Sequence, residues 1–160
     1  MVADLSKKRL EVASELGFIS FKADEGDLKS FLQEQHGTVT NDPLLGEQPG
    51  TDVFIEATGV GPVFQNITRT CRKGGRIVVV GVHFAAVELD MINLLMRELQ
   101  ITAATQYPVE FPMVIEMLQS GKADVRPLIT HNFPLSDFEQ AFAQAQKQDE
   151  AIKVLVSCQD

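Results

Sequence analysis

A chain of 160 residues is long enough for one domain with its own core, or for one domain and a piece of another. Hydrophobic residues at 44% and charged residues at 22% are ordinary globular values and argue against disorder. The formal net charge of -8 argues against nucleic acid or an anionic membrane surface as a partner, and no apolar run approaches the ~20 residues of a membrane span. The N-terminus, MVADLSKKRL, lacks the apolar core of a signal peptide, so a cytoplasmic chain is expected.

The chain then alternates between strand and helix signals. Val2-Ala3 reads as a very short strand stopping at Asp4. Ser6 caps a predicted helix to Leu16, with Leu10, Ala13 and Leu16 on its inward face and Gly17 as terminator. A short strand over Phe18 to Phe21 leads to a helix over Asp24 to Gln35, where Leu28, Phe31 and Leu32 are spaced to pack on a sheet. Gly37 to Gly50 reads as a surface loop without chemistry, tacked down by Leu44 and Leu45.

Thr51 to Val82 is the organising stretch. Two apolar runs, TDVFIEA and RIVVVGV, flank a helical segment bounded by Gly59, Gly61 and Pro62 at one end and Gly74-Gly75 at the other. Strand, helix and strand in about thirty residues make a right-handed crossover with parallel strands, and the unbroken apolar runs predict strands covered on both faces. His83 to Val87 reads as irregular, Asp90 caps a short helix through Met96, and Leu99 to Ala104 returns as a strand. Glu110 to Gln119 predicts an amphipathic helix with Phe111, Val114, Ile115 and Leu118 on one face and Gly121 at its end. A strand over Pro127 to Thr130 follows. Ser136 and Glu139 form a capping box for a helix whose apolar face is Phe138, Ala141, Phe142 and Ala145, and Ala151 to Val156 is the last strand. The expected class is α/β, with a Rossmann-like, doubly wound parallel sheet.

Cys71 and Cys158 are too few and too far apart for a zinc cluster or a disulfide framework, and His36, His83 and His131 lack metal-ligand spacing. Neither a metal ligand nor a catalytic residue is assigned. Asp4 is the first residue with ligand chemistry. A carboxylate ending such a strand accepts hydrogen bonds from the adenosine ribose of NAD and repels the 2′-phosphate of NADP, although it also serves as a plain turn or cap. Arg9, on the following helix, is positioned to cover the adenine. Gly59-Val60-Gly61 begins a G-x-G-x-x-G pattern but has Phe64 in place of the third glycine, and it follows a middle strand. It reads as a tight turn passing near a cofactor, not as a pyrophosphate cradle.

VADLSKKRLEVASELG, TDVFIEATG, KGGRIVVVGV and GKADVRPLITHNFPLSDFEQAF together resemble the C-terminal, NAD-binding half of the medium-chain, zinc-dependent alcohol dehydrogenase family, in its polyol branch. That branch includes sorbitol, threonine and butanediol dehydrogenases, and the resemblance runs from Val2 to Val156. It implies that Asp4 and Arg9 meet the adenosine of NAD, that Thr58 and Gly59 form a turn passing the cofactor, and that Val80, Gly81 and Val82 bring strand backbone to the nicotinamide carboxamide. Thr105, Gln106 and Tyr107 fall where the branch has an aromatic-Arg-Tyr run beside nicotinamide and substrate. Only Tyr107 matches.

The family's zinc ligands and proton relay lie in an N-terminal catalytic domain with no counterpart here. The first Rossmann strand, its glycine-rich turn and the first helix also lack counterparts, so a gap is expected between Val2-Ala3 and Thr51-Ala57. It would be closed by rearrangement, filled from a second copy, or explained if the chain is part of a longer protein. The resemblance implies residues 1–124 as a partial cofactor domain and 125–160 as a segment that packs on the catalytic domain in relatives. The expected function is that of the NAD-binding part of a dehydrogenase passing hydride from a secondary alcohol or polyol to NAD. This chain alone is expected to be inactive, with NAD binding weak or absent and zinc held only in the missing domain. The alternative is a non-catalytic nucleotide-binding or oligomerisation module. Exposed apolar faces and the family's subunit-contact region, matched by Ala86 to Asp90 and Leu99 to Ala104, make a homodimer the expected assembly.

Overall fold

The computed structural model describes residues 1–158. The elements in chain order are β1 (Val2–Asp4), α1 (Lys7–Glu15), β2 (Ser20–Lys22), α2 (Leu28–His36), β3 (Thr38–Val39), β4 (Gln48–Pro49), β5 (Val53–Glu56), α3 (Gly61–Thr70), β6 (Arg76–Val79), α4 (Met91–Arg97), β7 (Gln100–Ala103), α5 (Phe111–Gln119), β8 (Ile129–Pro134), α6 (Phe138–Ala145) and β9 (Lys153–Ser157). This is the α/β alternation read from the sequence. The chain forms two compact units, one from Met1–Gly26 with the chain from Val109 onward, the other from Asp27–Pro108.

In the Asp27–Pro108 unit, β5, β6 and β7 form a parallel three-stranded sheet in that order. Phe54 lies beside Ile77, and Ile77 beside Ile101, so the centre of the sheet is apolar from strand to strand. α3 closes over it with Phe64 and Ile67. Together with Cys71 and Ile77 they form the buried core, against which Phe54, Val79, Val87, Leu89, Leu99 and Ile101 pack. α3 carries Pro62 in its first turn, where a missing N–H costs nothing, and α4 is capped by Asp90, whose carboxylate accepts the Asn93 N–H at 2.9 Å.

β5 corrects one expectation. Val53 and Ile55 are 40% and 68% exposed, so this outer strand is covered on one face only. Its unbroken apolar run does not mark burial on both sides.

The stretch from Gly37 to Gly50 is also more than a loop. β3 and β4 pair antiparallel, Thr38 with Pro49 and Val39 with Gln48. Leu44, expected as an anchor, is 82% exposed, and Leu45 is half-buried. The anchor is polar: buried Gln48 accepts the Lys73 N–H on its Oε1 at 2.8 Å, while Lys73 Nζ reaches Asp42 at 3.0 Å. α2 begins later than expected, at Leu28, because the Asp27 carboxylate accepts the Ser30 N–H at 2.8 Å and stops the helix extending back to Asp24.

Cys71 is fully buried in this core, and burial pushes its thiol up to about 11, against partial opposition from Arg97 and Arg72. The unfolded thiol ionises near 9.0 and the folded one only near 11, so this contribution is complete below pH 9 and is lost as pH rises from 9 to 11. The expected loss is about 2–3 kcal/mol. Urea titrations at pH 8 and pH 11 check it: the wild type should lose this much more stability than Cys71→Ala over the same interval, and equal losses in the two proteins would refute it.

In the other unit, β1 and β2 pair parallel, with Val2 beside Ser20, Ala3 beside Phe21 and Asp4 beside Lys22. Ser6 caps α1 by accepting the Arg9 N–H, as its sequence suggests, and Gly17 ends it with φ at 85°. Leu10, Val12 and Ala13 are the buried positions; Leu16, expected inside, is half-buried. β8 and β9 form a second parallel pair, packed on by α6. β8 starts at Ile129, with a single 3-10 turn over Arg126–Leu128 where a strand was expected. The capping box does not form. Residues 135–137 make a 3-10 turn, and the Ser136 hydroxyl bonds Asp137 rather than the helix. On α6 only Ala141 is buried; Phe138 and Phe142 are 54% and 59% exposed and stack on each other at 6.4 Å. The helix α5 likewise leaves Phe111, Val114, Ile115 and Leu118 exposed, so its predicted inward face is not inward in this chain.

Candidate functional site

The sequence-derived residues fall into one group in each unit. In the first, Asp4 closes strand β1 with its carboxylate half-buried. Oδ1 accepts the Ser6 N–H at 2.8 Å, and Oδ2 lies 3.4 Å from Arg9 Nη1. The carboxylate is thus fixed by local chemistry, while its side chain stays 25% exposed and the Arg9 side chain 42% exposed. A carboxylate with free lone pairs at the end of a parallel strand suits a vicinal diol, and the adjacent guanidinium offers a flat cation for a ring.

The second group gathers at the C-terminal edge of the three-stranded sheet. Thr58-Gly59 leaves β5, Val80 to Val82 leaves β6, and Thr105 to Tyr107 leaves β7; because the strands are parallel and in register, all three segments emerge on one edge. That edge is where ligands bind in open α/β sheets. Val80 and Val82 are 37% and 67% exposed, and Thr58, Thr105, Gln106 and Tyr107 are exposed, while Gly59 and Gly81 are half-buried.

Two of these segments are locked to each other by a residue that the motifs leave unmarked. Glu56, the last residue of β5, is buried to 1% exposure. Its Oε1 accepts the Thr58 N–H at 2.7 Å, the Gly59 N–H at 3.0 Å and the Thr58 hydroxyl. Its Oε2 faces His83 Nε2 at 2.9 Å. Its backbone carbonyl accepts the N–H of Val80 at 2.7 Å and of Gly81 at 2.9 Å. Burial pushes the carboxyl up, but the bonds from Thr58, His83 and Gly59 outweigh it and hold the group below its ordinary value. The two glycines are needed for room: a Cβ on Gly59 would stand 2.3 Å from the Val82 carbonyl oxygen, and one on Gly81 2.3 Å from the Gly59 nitrogen. The sequence does carry a signal for Glu56, because an acid inside an otherwise apolar strand demands donors, and T-G shortly after it supplies them.

The third segment is strained. Tyr107 donates its N–H to the Thr105 carbonyl at 2.8 Å across Gln106, whose φ is 64°, and Tyr107 itself has φ at 44° just before Pro108. Left-handed non-glycine residues in succession, the second preceding proline, are costly and cluster where function fixes the backbone. The Tyr107 hydroxyl bonds the Ala104 carbonyl at 3.1 Å. Among the described residues no group of three or more His, Cys, Asp or Glu side chains is arranged to hold a metal ion, and no helix is long and apolar enough to cross a membrane.

Parallel strands, crossover helices and a ligand edge built from glycine-rich turns define a Rossmann-like α/β protein. Solved structures share the fold. The alcohol dehydrogenase TADH of Thermus sp. ATN1 superposes with a TM-score of 0.82 at 25% identity, covering 98% of this chain and 43% of that one. A dehydrogenase of E. coli CFT073 solved with NADH gives 0.78 at 24%, covering 96% of this chain and 42% of that one. A zinc-binding dehydrogenase of Sinorhizobium meliloti 1021 bound to NADP gives 0.75 at 23%, covering 96% and 43%.

The zinc-binding dehydrogenase family profile matches residues 1–120, and the chain belongs to that family. Among curated relatives, sorbitol dehydrogenase of Mus musculus is 36% identical over 158 residues, covering 99% of this chain and 42% of the relative. The 2-dehydro-3-deoxy-L-galactonate 5-dehydrogenase of Pseudoalteromonas atlantica is 32% identical over 159 residues, covering 99% and 44%. The chain therefore spans less than half the length of these relatives.

Proposed function

We propose that the chain is the NAD-binding part of a zinc-dependent alcohol or polyol dehydrogenase, in which hydride passes from a secondary alcohol to NAD. The observation that carries this reading is the Asp4 carboxylate, fixed by Ser6 and Arg9 at the end of a parallel strand yet still open to solvent. In this reading Asp4 accepts the ribose hydroxyls and Arg9 covers the adenine. Thr58, Gly59 and the backbone of Val80 to Val82 border the cofactor, with Thr105, Gln106 and Tyr107 beside nicotinamide and substrate. Bound NAD supplies the hydride acceptor; the residues of this chain bind and orient it. The described side chains do not fit zinc, so no step here runs through the metal. Residues 1–124 act as the cofactor domain and 125–160 as a segment that docks on catalytic machinery. The isolated chain, taken as cytoplasmic, does not turn over.

Calorimetry with NAD, NADP and AMP tests this, alongside an assay of NAD reduction with polyols and zinc. NAD should bind more tightly than NADP, and Asp4→Ala should weaken NAD and AMP about tenfold, the loss of one hydrogen-bonding charge. Unchanged affinity in Asp4→Ala removes the ribose assignment, and robust turnover by the chain alone overturns the division of labour.

The exposed apolar side chains of α5 and the outer position of β7 favour a second reading, a non-catalytic nucleotide-binding or oligomerisation module. In either reading the chain is a homodimer joined through Ala86 to Asp90 and Leu99 to Ala104. Sedimentation equilibrium reporting a monomer at micromolar concentration would sink that assembly.

A further inference from the structure

We propose that His83 is a positioning residue: through Glu56 it fixes the Thr58-Gly59 turn against the strand end at Val80 to Val82, without itself touching the cofactor. The inference rests on the reading of this edge as a dinucleotide surface.

The chemistry begins with the two carboxylate oxygens. Oε1 is saturated by three donors from Thr58 and Gly59, all within three residues of Glu56 in the chain. Oε2 has a different partner, the His83 Nε2 at 2.9 Å, from the segment that follows β6. Among the described residues no other donor reaches Oε2. An ionised carboxylate only accepts, so Nε2 must carry the proton. The second ring nitrogen, Nδ1, is buried with no partner among the described residues, and the ring stands edge-on to Phe64 of α3 at 6.0 Å. Among the described residues the His83 ring therefore has a single polar attachment, Glu56.

The consequence is geometric. Backbone bonds from Val80 and Gly81 to the Glu56 carbonyl hold the two strands at their ends, but neither bond reaches Thr58 or Gly59. The His83 bond holds the carboxylate, and the carboxylate holds the turn. A buried oxygen deprived of its donor moves toward other donors or water, and the Thr58 and Gly59 amides move with it.

The carboxamide of glutamine carries its Nε2 at about the reach of the imidazole Nε2, so His83→Gln retains a donor and His83→Leu does not. Hydrogen exchange in the full chain is the direct measurement, with Ile77 as the reference for global opening. His83→Leu should accelerate exchange of the Thr58 and Gly59 amides about tenfold beyond any change at Ile77 and weaken NAD binding about tenfold, while His83→Gln keeps both within about twofold of wild type. Unchanged Thr58 and Gly59 exchange in His83→Leu, or a glutamine variant as impaired as the leucine one, overturns the proposal.

A second readout is spectroscopic. Nitrogen-15 shifts of the His83 ring should report a proton on Nε2 in the wild type and a bare Nε2 in Glu56→Gln, whose amide nitrogen would face the ring. A wild-type ring with its proton on Nδ1 and a bare Nε2 refutes the bond. Should NAD fail to bind any form while exchange follows the expected pattern, the cofactor reading falls and the positioning of the turn by His83 stands.

Discussion

Gly81→Ala should cost roughly 3–5 kcal/mol, a large fraction of the stability expected of a unit this size. The reason is space. A Cβ there would lie 2.3 Å from the Gly59 nitrogen, 2.9 Å from the Gly59 Cα and 2.6 Å from Glu56 Oε2, and two of those three atoms are backbone. Relief requires separating the ends of β5 and β6, which breaks the bonds from Val80 and Gly81 to the Glu56 carbonyl. Gly74 supplies the contrast: its φ is 73° but nothing lies within 4 Å of the position a Cβ would take, so Gly74→Ala should cost only about 1 kcal/mol of backbone strain. Denaturant midpoints of the two variants decide the matter. Equal losses would show that the crowding at Gly81 is relieved by small shifts.

The elements that local chemistry specifies are readable from the chain alone. The β5–α3–β6 crossover, the Ser6 and Asp90 caps and the Gly17 stop each depend on residues close in the chain, and each forms. The departures have a tertiary cause at Gln48 and a local one at Ser136. Gln48-Pro49 looks like turn material, yet Gln48 is buried because its side chain accepts the N–H of Lys73, twenty-five residues away. The capping box at Ser136 and Glu139 is locally sound, but the 3-10 turn at 135–137 diverts the Ser136 hydroxyl to Asp137. The apolar face of α5 has helical spacing and no burial, since spacing says which side is apolar and not what covers it.

The site divides in the same way. Asp4 and Arg9 are five residues apart, and their proximity follows from a strand running straight into a helix. Glu56 and His83 are separated by twenty-seven residues, and only the parallel pairing of β5 with β6 makes them neighbours. Gly59 and Gly81 stand out in the sequence through their resemblance to a cofactor edge. The structure adds why both must be glycine: a Cβ on Gly59 would meet the Val82 backbone, and one on Gly81 the Gly59 backbone and the Glu56 carboxylate.

Removing the carboxylate altogether is the most informative perturbation of that edge. In Glu56→Ala the Thr58 and Gly59 N–H groups, the Thr58 hydroxyl and the His83 Nε2–H all lose their acceptor at once. Breaking a buried charged network from one side costs about 3–5 kcal/mol at neutral pH. The pH dependence identifies the cause. Glu56 ionises below its ordinary 4.5 in the folded chain, so its contribution is present above that value and disappears as pH falls through the lower folded value. The wild type should therefore lose stability below pH 4.5 by more than Glu56→Ala does, and the gap between them should narrow as the carboxyl protonates. Urea titrations at pH 7 and at pH 3.5 measure that gap. A difference that is constant across this range would assign the loss to the cavity left by the side chain, and the hydrogen bonds around Glu56 would then contribute little to holding the cofactor edge.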